Sequence, residues 1–245
     1  MKQHHFFVLL LLPQFTYAGN IHHGIIGGRE AKPHSRPYMV YLKVGKVNCG
    51  GSLITPSWVL TAAHCYGDIT AILGAHNVSD QEVSQQAIGI KSYHVHPEYY
   101  DKQHIPFNDI MLLKLSTKAT INRVVQTIRL PRRRMDVPTN TRCNVAGWGF
   151  IENGMTTDNL FETNVTVVSR KSCRHYVPQL DDGMICAGNV SEESDASQGD
   201  SGGPLVCNGY VEGIVSFGLD HPPGIYVRVS KYLNWIENTI YSNED

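Results

Sequence analysis

The stretch Gly199–Pro204, with the sequence GDSGGP, places Ser201 among three glycines, directly before a short apolar run. Glycine permits backbone conformations that other residues adopt poorly, so this stretch predicts a turn around the serine. A serine hydroxyl is a poor nucleophile unless a nearby base takes its proton during attack. The stretch therefore predicts a reactive serine, provided that the rest of the chain supplies a base.

Two further stretches supply such partners. Residues Thr61–Cys65 (TAAHC) carry His64, and residues Asn108–Leu113 (NDIMLL) carry Asp109. An imidazole can accept the serine proton near neutral pH and return it to a leaving amine. A buried carboxylate can hold that imidazole in the required tautomer. A lone histidine or a glycine-rich turn is usually structural, but the three stretches together predict His64, Asp109 and Ser201 as catalytic residues.

Short apolar segments rich in β-branched residues, separated by Gly, Pro, Asn and Asp clusters, fill the chain after residue 24. This pattern predicts an all-β protein, either a sandwich or a barrel. The clearest segments are Tyr38–Val44, Ser57–Ala62, Ile110–Leu115, Cys143–Trp148, Asn164–Ser169, Pro204–Cys207 and Val211–Phe217. Helical spacing of apolar residues occurs near the end of the chain, where we expect a helix over about residues 230–241 with Ser230 as its N-cap.

The three motifs resemble those of the chymotrypsin/trypsin family, and their order along the chain is that of the family. The resemblance extends from Ile25 to about Ile240 and implies an all-β fold of two packed six-stranded Greek-key β-barrels with a C-terminal α-helix. It places a peptidase domain over residues 25–243, with the first barrel over about 25–128 and the second over about 129–229.

The activity that the resemblance implies is hydrolysis of peptide bonds by a serine endopeptidase. The backbone amides of Gly199 and Ser201 would form its oxyanion hole. The alternative from another functional class is a non-catalytic, protease-like binding protein. Such relatives generally lose the histidine, the aspartate or the serine, whereas this chain keeps all three.

Six cysteines without a close CxxC pair favour three disulfides in an oxidising compartment over a zinc site. Spacing alone leaves about 15 connectivities open. The family resemblance implies the pairs Cys49–Cys65, Cys143–Cys207 and Cys173–Cys186. A fourth disulfide of the family is missing, because Ser197 stands where one of its cysteines would be.

The N-terminal residues have the pattern of a secretory signal. Lys2 precedes the apolar run Phe6–Leu12, and Thr16–Ala18 offers a small-residue cleavage site, so residues 1–18 are expected to be removed. The apolar run is shorter than the roughly 20 residues that a transmembrane helix needs. We therefore expect a secreted, extracellular protein that does not use a membrane as a partner.

Residues Ile25–Gly28 (IIGG) resemble the mature N-terminus of the family. In that family the new ammonium group inserts beside the aspartate that precedes the nucleophile, which implies a pair of Ile25 with Asp200 here. A buried unpaired carboxylate is costly, so the pair would order the oxyanion loop only after cleavage.

Residues 19–24 (GNIHHG) form the expected propeptide, and its last residue, Gly24, stands where most trypsin relatives carry Arg or Lys. Together with residues 30–38 (EAKPHSRPY), this segment resembles the granzyme and mast-cell protease branch. That resemblance implies an activating dipeptidyl peptidase as a partner, and it leaves storage in secretory granules open.

Asp195 lies six residues before Ser201, where the resemblance places the carboxylate at the base of the trypsin pocket. A carboxylate in a desolvated slot favours a long cationic side chain. We expect cleavage after Arg, then Lys, because Ala196 replaces a common serine that would serve lysine. The other expected substrate-binding residues are Ser216, Phe217, Gly218, Gly224 and Tyr226. The missing disulfide leaves chymase-like specificity as the alternative.

The formal net charge is −1, from 21 basic and 22 acidic residues, which argues against a nucleic-acid partner. The dense charge run at Arg132–Arg134 is interpreted as a solvated loop, with a contact to a heparin-like polyanion as the alternative. The expected partners are protein or peptide substrates and protein protease inhibitors, and the expected state is a monomer.

Neither a cofactor nor a metal is expected. His94 and His96 would share one strand face, but two histidines without further ligands favour a solvated pair over a metal site. The loop Leu73–Asn77 lacks the acid that a trypsin-type calcium site needs after its glycine. Sequons at Asn77, Asn164 and Asn189 predict N-linked glycans in a secreted protein.

Overall fold

The computed structural model describes residues 28–149, 157–188, 199–218 and 222–244. Several predicted features lie outside these residues: the signal peptide, the propeptide, Ile25, Asp195, Ala196 and the sequon at Asn189. Within the described part of the chain, every helix is too short or too polar to cross a membrane.

The described strands, in chain order, are β1 (Arg29–Glu30), β2 (Met39–Val44), β3 (Val47–Thr55), β4 (Trp58–Thr61), β5 (Ile69–Leu73), β6 (Gln86–Val95), β7 (Tyr100–Lys102), β8 (Ile105–Phe107), β9 (Met111–Leu115), β10 (Arg142–Gly147), β11 (Phe161–Val167), β12 (Met184–Gly188), β13 (Pro204–Cys207), β14 (Tyr210–Phe217) and β15 (Gly224–Arg228). The described helices are α1 (Arg170–Cys173) and α2 (Leu233–Tyr241), and 3-10 turns cover Ala63–Cys65 and Val229–Lys231.

The first barrel is closed by six strands in the order β2-β3-β4-β9-β6-β5. Along β2, the buried Val40, Leu42 and Val44 alternate with the more exposed Tyr41 and Lys43. A strand with one buried face requires this period of two, because successive side chains point to opposite faces. The inward side chains of the six strands form one continuous hydrophobic core.

The second barrel is built from β10 to β15. Its sheet has the order β1-β11-β10-β13-β14-β15-β12, and a further pairing of β11 with β12 closes it. Strand β1 precedes the first barrel in the chain but pairs with β11, at the edge of the second barrel. The prediction of an all-β fold with two six-stranded barrels and a C-terminal helix is therefore confirmed.

Helix α2 follows the second barrel in the chain but packs on the first. Tyr232 and Ile236 are buried in the hydrophobic cluster that contains the core of the first barrel and extends to Val211, Ile214 and Val227 of the second. The prediction of Ser230 as the N-cap of this helix is wrong, because Ser230 lies in the preceding 3-10 turn and Tyr232 occupies the N-cap position. The Ser230 hydroxyl instead donates to the carbonyl oxygen of Met135 at 2.9 Å, so a long-range hydrogen bond replaces the local cap.

The six cysteines form three disulfides, as their number predicts. The pairs are Cys49–Cys65, Cys143–Cys207 and Cys173–Cys186. The first lies within the first barrel, and the other two lie within the second barrel. No disulfide therefore joins one barrel to the other, since all the cysteines of the chain are accounted for.

Candidate active site

Asp109 lies directly before β9, and its side chain is only 1 % exposed. The preceding Asn108 has a left-handed backbone with φ of 51°, which asparagine tolerates better than most residues. Asn108 Nδ2 donates to the carbonyl oxygen of Glu98 at 2.8 Å, and its Oδ1 accepts from the Tyr232 hydroxyl at 2.9 Å. Burial raises the pKa of Tyr232 well above its usual range, so this hydroxyl stays protonated as a donor. The Asn108 side chain, directly before Asp109, is thus fixed by one hydrogen bond at its nitrogen and one at its oxygen.

His64 lies in a 3-10 turn that the Cys49–Cys65 disulfide ties to β3. Its Nδ1 lies 2.7 Å from Asp109 Oδ2, and its backbone N–H donates to Asp109 Oδ1 at 2.9 Å. An ionised carboxylate can only accept, so Nδ1 carries the proton and Nε2 remains as the basic nitrogen. The His64 side chain is 29 % exposed, in contrast to the buried carboxylate behind it. The structure thus joins two of the predicted catalytic residues directly.

Ser216 supplies a third donor to the Asp109 carboxylate. Its hydroxyl donates to Asp109 Oδ2 at 2.6 Å in a buried position. The pairing of β14 with β15 shifts its register between Val215 and Phe217. The irregularity at Ser216 re-aims its side chain, which here meets Asp109. The sequence predicts Ser216 as a substrate-binding residue, and it carries no signal for this contact between residues 107 positions apart.

Ser201 lies on a tight turn over residues 199–203. Gly202 has φ of 80°, in the left-handed region where glycine is favoured. A Cβ on Gly202 would also come within 2.2 Å of Thr61 Oγ1, so the turn packs directly against the end of β4. The glycine pattern of the sequence therefore has two structural reasons, a backbone conformation and a close approach to the segment that carries His64.

Backbone contacts dock this turn on the first barrel. The carbonyl oxygen of Ser201 accepts from Gly50 N–H at 2.7 Å and lies 3.6 Å from Cys65 Sγ. Because Cys65 directly follows His64, these contacts place Ser201 beside the histidine. Among the described residues, no hydrogen bond joins the Ser201 hydroxyl to His64. Catalytic hydrogen bonds of this kind are commonly long without substrate and shorten when it binds.

The backbone amides of Gly199 and Ser201 are the groups predicted to form the oxyanion hole. Neither N–H donates to another described residue. Gly199 has φ of 93°, and a Cβ there would lie 2.7 Å from Gly149 Cα. A side chain at this position would therefore displace the backbone that carries the first of the two amides.

Asp200 is completely buried behind the turn. Its Oδ1 accepts from Gly149 N–H at 2.9 Å, and it sits so close to Gly147 that a Cβ there would lie 2.0 Å away. Trp148 is fixed in turn by donating from Nε1 to the carbonyl oxygen of His76 at 3.0 Å. The predicted partner of Asp200, Ile25, lies outside the described residues.

The described part of the predicted substrate pocket lies where β14 ends and β15 begins. Tyr226 is buried opposite Val215, and Gly224 is buried at the start of β15. Phe217 is half-buried against a second-barrel core cluster. A Cβ on Gly218 would meet no described atom within 4 Å. Asp195 and Ala196, the residues predicted to set the charge of the pocket, lie outside the described residues.

His94 and His96 are both engaged in packing. His94 Nε2 lies 2.8 Å from the Ser92 hydroxyl, and the His96 ring lies 5.2 Å and 5.1 Å from the rings of Tyr232 and Trp235. Burial lowers the pKa of both histidines, which favours the neutral ring in these sites.

One group of three potential metal ligands occurs among the described residues, namely His64 with Cys49 and Cys65. Both sulfurs belong to a disulfide, so neither is the thiolate that binds metals. Of the described sequons, Asn77 is half-buried in the loop after β5, and Asn164 is exposed on β11.

Comparison with known proteins agrees with this geometry. The profile of the family described as Trypsin matches residues 25–236. Duodenase-1 from Bos taurus is 46 % identical over 228 residues, which cover 88 % of this chain and 89 % of that protein. Cathepsin G from Homo sapiens is 43 % identical over 240 residues, covering 95 % and 92 % of the two chains. Granzyme B from Rattus norvegicus is 44 % identical over 245 residues, covering 95 % and 98 %. By fold, by site and by sequence, the chain belongs to the trypsin family of serine endopeptidases.

Proposed function

We propose that Ser201, His64 and Asp109 hydrolyse peptide bonds through an acyl-enzyme. His64 Nε2 takes the hydroxyl proton as Ser201 attacks the substrate carbonyl carbon, and Asp109 stabilises the imidazolium that forms. The same histidine gives the proton to the leaving amine, and water then releases the acyl group by the reverse sequence. The observation that carries this proposal is the 2.7 Å contact between His64 Nδ1 and the buried Asp109 carboxylate, beside the turn of Ser201.

The amides of Gly199 and Ser201 would stabilise the charge on the carbonyl oxygen during both steps. One such donor typically contributes about 3 kcal/mol of transition-state stabilisation. Since both are backbone groups, no side-chain substitution removes them directly. A bulky residue in place of Gly199 should act on them indirectly, because it would strike Gly149.

Labelling of Ser201 by a serine-directed organophosphonate tests the catalytic proposal. We expect stoichiometric labelling of the activated enzyme, no labelling of Ser201→Ala, and loss of peptidase activity in both Ser201→Ala and Asp109→Asn. An activated protein that folds but neither reacts nor cleaves would support the alternative, a protease-like binding protein.

We propose a preference for Arg, then Lys, before the scissile bond. Asp195 carries this proposal through its distance of six residues from Ser201 in the sequence. Gly224 and Tyr226 are buried at the start of β15, where the family resemblance places this pocket. The kcat/KM for otherwise identical Arg and Phe peptides should favour Arg by several orders of magnitude, and Asp195→Ala should remove that preference. A higher value for the Phe peptide would instead establish chymase-like specificity.

We further propose that the protein is secreted as a zymogen and matured by removal of residues 19–24. The new ammonium group of Ile25 would pair with Asp200, as the family resemblance implies, and the Asp200 side chain is completely buried behind the turn of Ser201. Because the propeptide consists of three dipeptides, a dipeptidyl peptidase is the expected activator. N-terminal sequencing of the secreted active enzyme should give Ile-Ile-Gly-Gly, and any other mature N-terminus would overturn this route.

The proposed partners are protein and peptide substrates and protein protease inhibitors, which would occupy the same cleft. We propose a monomeric, extracellular enzyme with N-linked glycans. The molar mass of the secreted protein, measured by analytical ultracentrifugation, tests whether it is a monomer. Whether the zymogen is stored in granules before release is left open, and localisation of the zymogen in secretory cells tests it.

A further inference from the structure

The buried carboxylate of Asp200 is the point at which two chain segments are expected to meet. Gly149 N–H donates to Asp200 Oδ1 at 2.9 Å, so the segment after β10 reaches it directly. The N-terminal segment would reach it too, because its first residue, Ile25, is the proposed partner of Asp200. Both segments are attached to the same residue of the first barrel, His76, which lies in the loop after β5.

The backbone of His76 holds the first of these segments. Its carbonyl oxygen accepts from Trp148 Nε1 at 3.0 Å and from Leu160 N–H at 2.9 Å. Trp148 directly precedes Gly149, is 2 % exposed and belongs with Leu160 to one hydrophobic cluster. The position of Gly149 beside Asp200 therefore depends on where the loop of His76 lies.

The ring of His76 holds the N-terminal segment. Its Nε2 lies 2.9 Å from Glu30 Oε1. An ionised carboxylate can only accept, so Nε2 carries the ring proton and donates to it. The His76 side chain is 9 % exposed and that of Glu30 is 50 % exposed. His76 Nδ1 has no hydrogen-bond partner among the described residues, so the contact with Glu30 is the polar contact that this largely buried ring makes there.

The loop that carries His76 is itself held in place. The backbone N–H groups of His76 and Asn77 donate to the Glu82 carboxylate at 2.8 Å and 3.1 Å. Burial would raise the pKa of Glu82, but these two hydrogen bonds and the nearby rings of His34 and His76 lower it below its usual value. Glu82 thus stays ionised as an acceptor, and the loop presents the His76 ring at a fixed place.

The other polar contacts of the N-terminal segment at this point are with the second barrel. Strand β1 consists of Arg29 and Glu30, which pair with β11. The Arg29 guanidinium lies 3.1 Å from Glu162, but the Arg29 side chain is 78 % exposed, and exposed ion pairs contribute little to stability. Of the described contacts of these two residues, that of Glu30 with His76 is the one that ties them to the first barrel.

The anchoring of Glu30 limits where the new N-terminus can go. Ile25 lies five residues before Glu30 in the sequence. Five residues of extended chain span at most about 18 Å. A short tether with a fixed end keeps the effective concentration of the ammonium group at Asp200 high, and a loosened end lowers it.

We propose that Glu30 and His76 form a positioning pair, which holds the N-terminal segment where the ammonium group of Ile25 can reach Asp200. This inference rests on the proposed pairing of Ile25 with Asp200. The pair acts on the reaction through the turn that carries Ser201. Its loss raises the fraction of molecules in which Ile25 has left Asp200 and the turn is no longer held.

Carbamoylation by cyanate measures that fraction, because cyanate reacts with a free amine and not with a buried, paired ammonium group. The activated enzyme is treated with cyanate, the modified N-terminal peptide is quantified by mass spectrometry, and the residual activity is measured in the same samples. We expect the wild-type N-terminus to react far more slowly than the free peptide Ile-Ile-Gly-Gly. Activity should fall in step with the modification of Ile25.

Glu30→Ala and His76→Leu should each raise the rate of N-terminal carbamoylation by about three- to tenfold. Each removes a hydrogen bond to a charged group, and the effect stays moderate because the Glu30 side chain is 50 % exposed. The double variant should react no faster than the faster single variant, because both changes remove the same contact. His76→Gln should stay near the wild-type rate, since the glutamine amide can donate from the place of Nε2.

His94→Leu is the matched control. His94 lies in the same barrel, and its Nε2 also has a hydrogen-bond partner, the Ser92 hydroxyl at 2.8 Å. The free energy of unfolding of every variant is measured in urea. His94→Leu should lose stability without faster carbamoylation. An equal acceleration in His94→Leu would show that general loosening exposes the N-terminus, and it would overturn the positioning role.

Two further outcomes separate this inference from the one on which it rests. A slow wild-type rate that is unchanged in Glu30→Ala would overturn the positioning role, while the pairing of Ile25 with Asp200 would stand. A wild-type N-terminus that reacts as fast as the free peptide would show that Ile25 is not buried, and both proposals would then fail together.

Discussion

At the scale of single residues, the Asp109 carboxylate is the most densely bonded group of the site. It accepts hydrogen bonds from two groups of His64 and from the Ser216 hydroxyl. Two of these donors share Oδ2, at 2.7 Å and 2.6 Å, which fixes the direction from which the imidazole meets the carboxylate. Ser216 is therefore a positioning residue for His64, in addition to its predicted place beside the substrate.

Ser216→Ala should lower kcat by about tenfold or more, because a hydrogen bond to a charged group contributes about 1.5–3 kcal/mol. The KM for a short peptide should change less than kcat. Ser230→Ala is the matched control, since it removes another buried serine hydroxyl whose partner, the Met135 carbonyl oxygen, lies outside the site. Equal kcat in the wild type and Ser216→Ala would show that His64 is oriented without this donor.

The two described sequons should differ in occupancy. Asn77 Nδ2 donates to Asn159 Oδ1 at 2.9 Å, and its Oδ1 accepts from the N–H groups of Ser79 and Asp80. Both ends of this side chain are used by the fold, whereas Asn164 is exposed on β11. We expect Asn164→Gln to remove a glycan, seen as a mass shift, and Asn77→Gln to leave the mass of the glycan complement unchanged. A glycan released from Asn77 by an amidase would contradict this assignment.

At the scale of elements, helix α2 is joined to the first barrel through His96. The ring of His96 packs against Tyr232 and Trp235. Burial lowers its pKa below the usual value of 6.5, an effect to which Lys231 adds and which Glu98 opposes. This shift favours the neutral imidazole in the contact with Tyr232 and Trp235.

The sign of the pH dependence follows from this shift. The unfolded chain takes up a proton on His96 at a higher pH than the folded chain does, so this site contributes stability that falls as the pH drops below about 6.5. His96→Phe should reduce the loss of stability between pH 7.5 and pH 5. Urea unfolding in the Ser201→Ala background measures the free energy of unfolding at both pH values. His175→Gln, which replaces an exposed histidine, is the control. An unchanged pH dependence in His96→Phe would place the acid sensitivity elsewhere.

The elements that the sequence predicts best are those with one buried face. Strand β2 was expected over Tyr38–Val44 and spans Met39–Val44, because its apolar residues alternate cleanly. Strand β6 (Gln86–Val95) was not among the predicted segments, since most of its residues are only half-buried and give no clear period. The capping of α2 was wrong for a different reason, because the partner of Ser230 lies 95 residues away.

At the scale of the whole molecule, the active site is formed where the two barrels meet. The contact is made by backbone, with Gly50 N–H donating to the Ser201 carbonyl oxygen at 2.7 Å. A Cβ on Gly50 would lie 2.9 Å from Gly203 Cα. Because both positions are glycine, the two segments can approach closely enough to bring Ser201 beside His64.

Gly50→Ala should push the barrels apart and lower kcat/KM by about 100-fold, since a displacement of about 1 Å can cost that much. Global stability should fall far less than activity. Gly89→Ala, in the same barrel, is the control, because its Cβ would meet only Ser116 Oγ at 3.6 Å. Full activity in Gly50→Ala would show that the contact tolerates a methyl group.

The candidate site was predictable from the sequence where the family motifs are contiguous. His64, Asp109 and the turn of Ser201 each lie in a short characteristic stretch, and the structure brings these stretches together. The roles of Gly50 and of the Ser216 hydroxyl were not predictable. Each depends on a contact between distant segments, since Gly50 and Ser201 lie 151 residues apart and Ser216 and Asp109 lie 107 apart. A local sequence pattern cannot predict such contacts.

Helix α2 packs on the first barrel although it follows the second barrel in the chain. Domains commonly fold one after another as the ribosome makes them, starting at the N-terminus. Here the hydrophobic cluster of the first barrel gains Tyr232 and Ile236 only when the end of the chain has been made. A nascent chain that still lacks these residues leaves part of that apolar cluster exposed to water, so we expect the first barrel to reach its full stability only after synthesis ends.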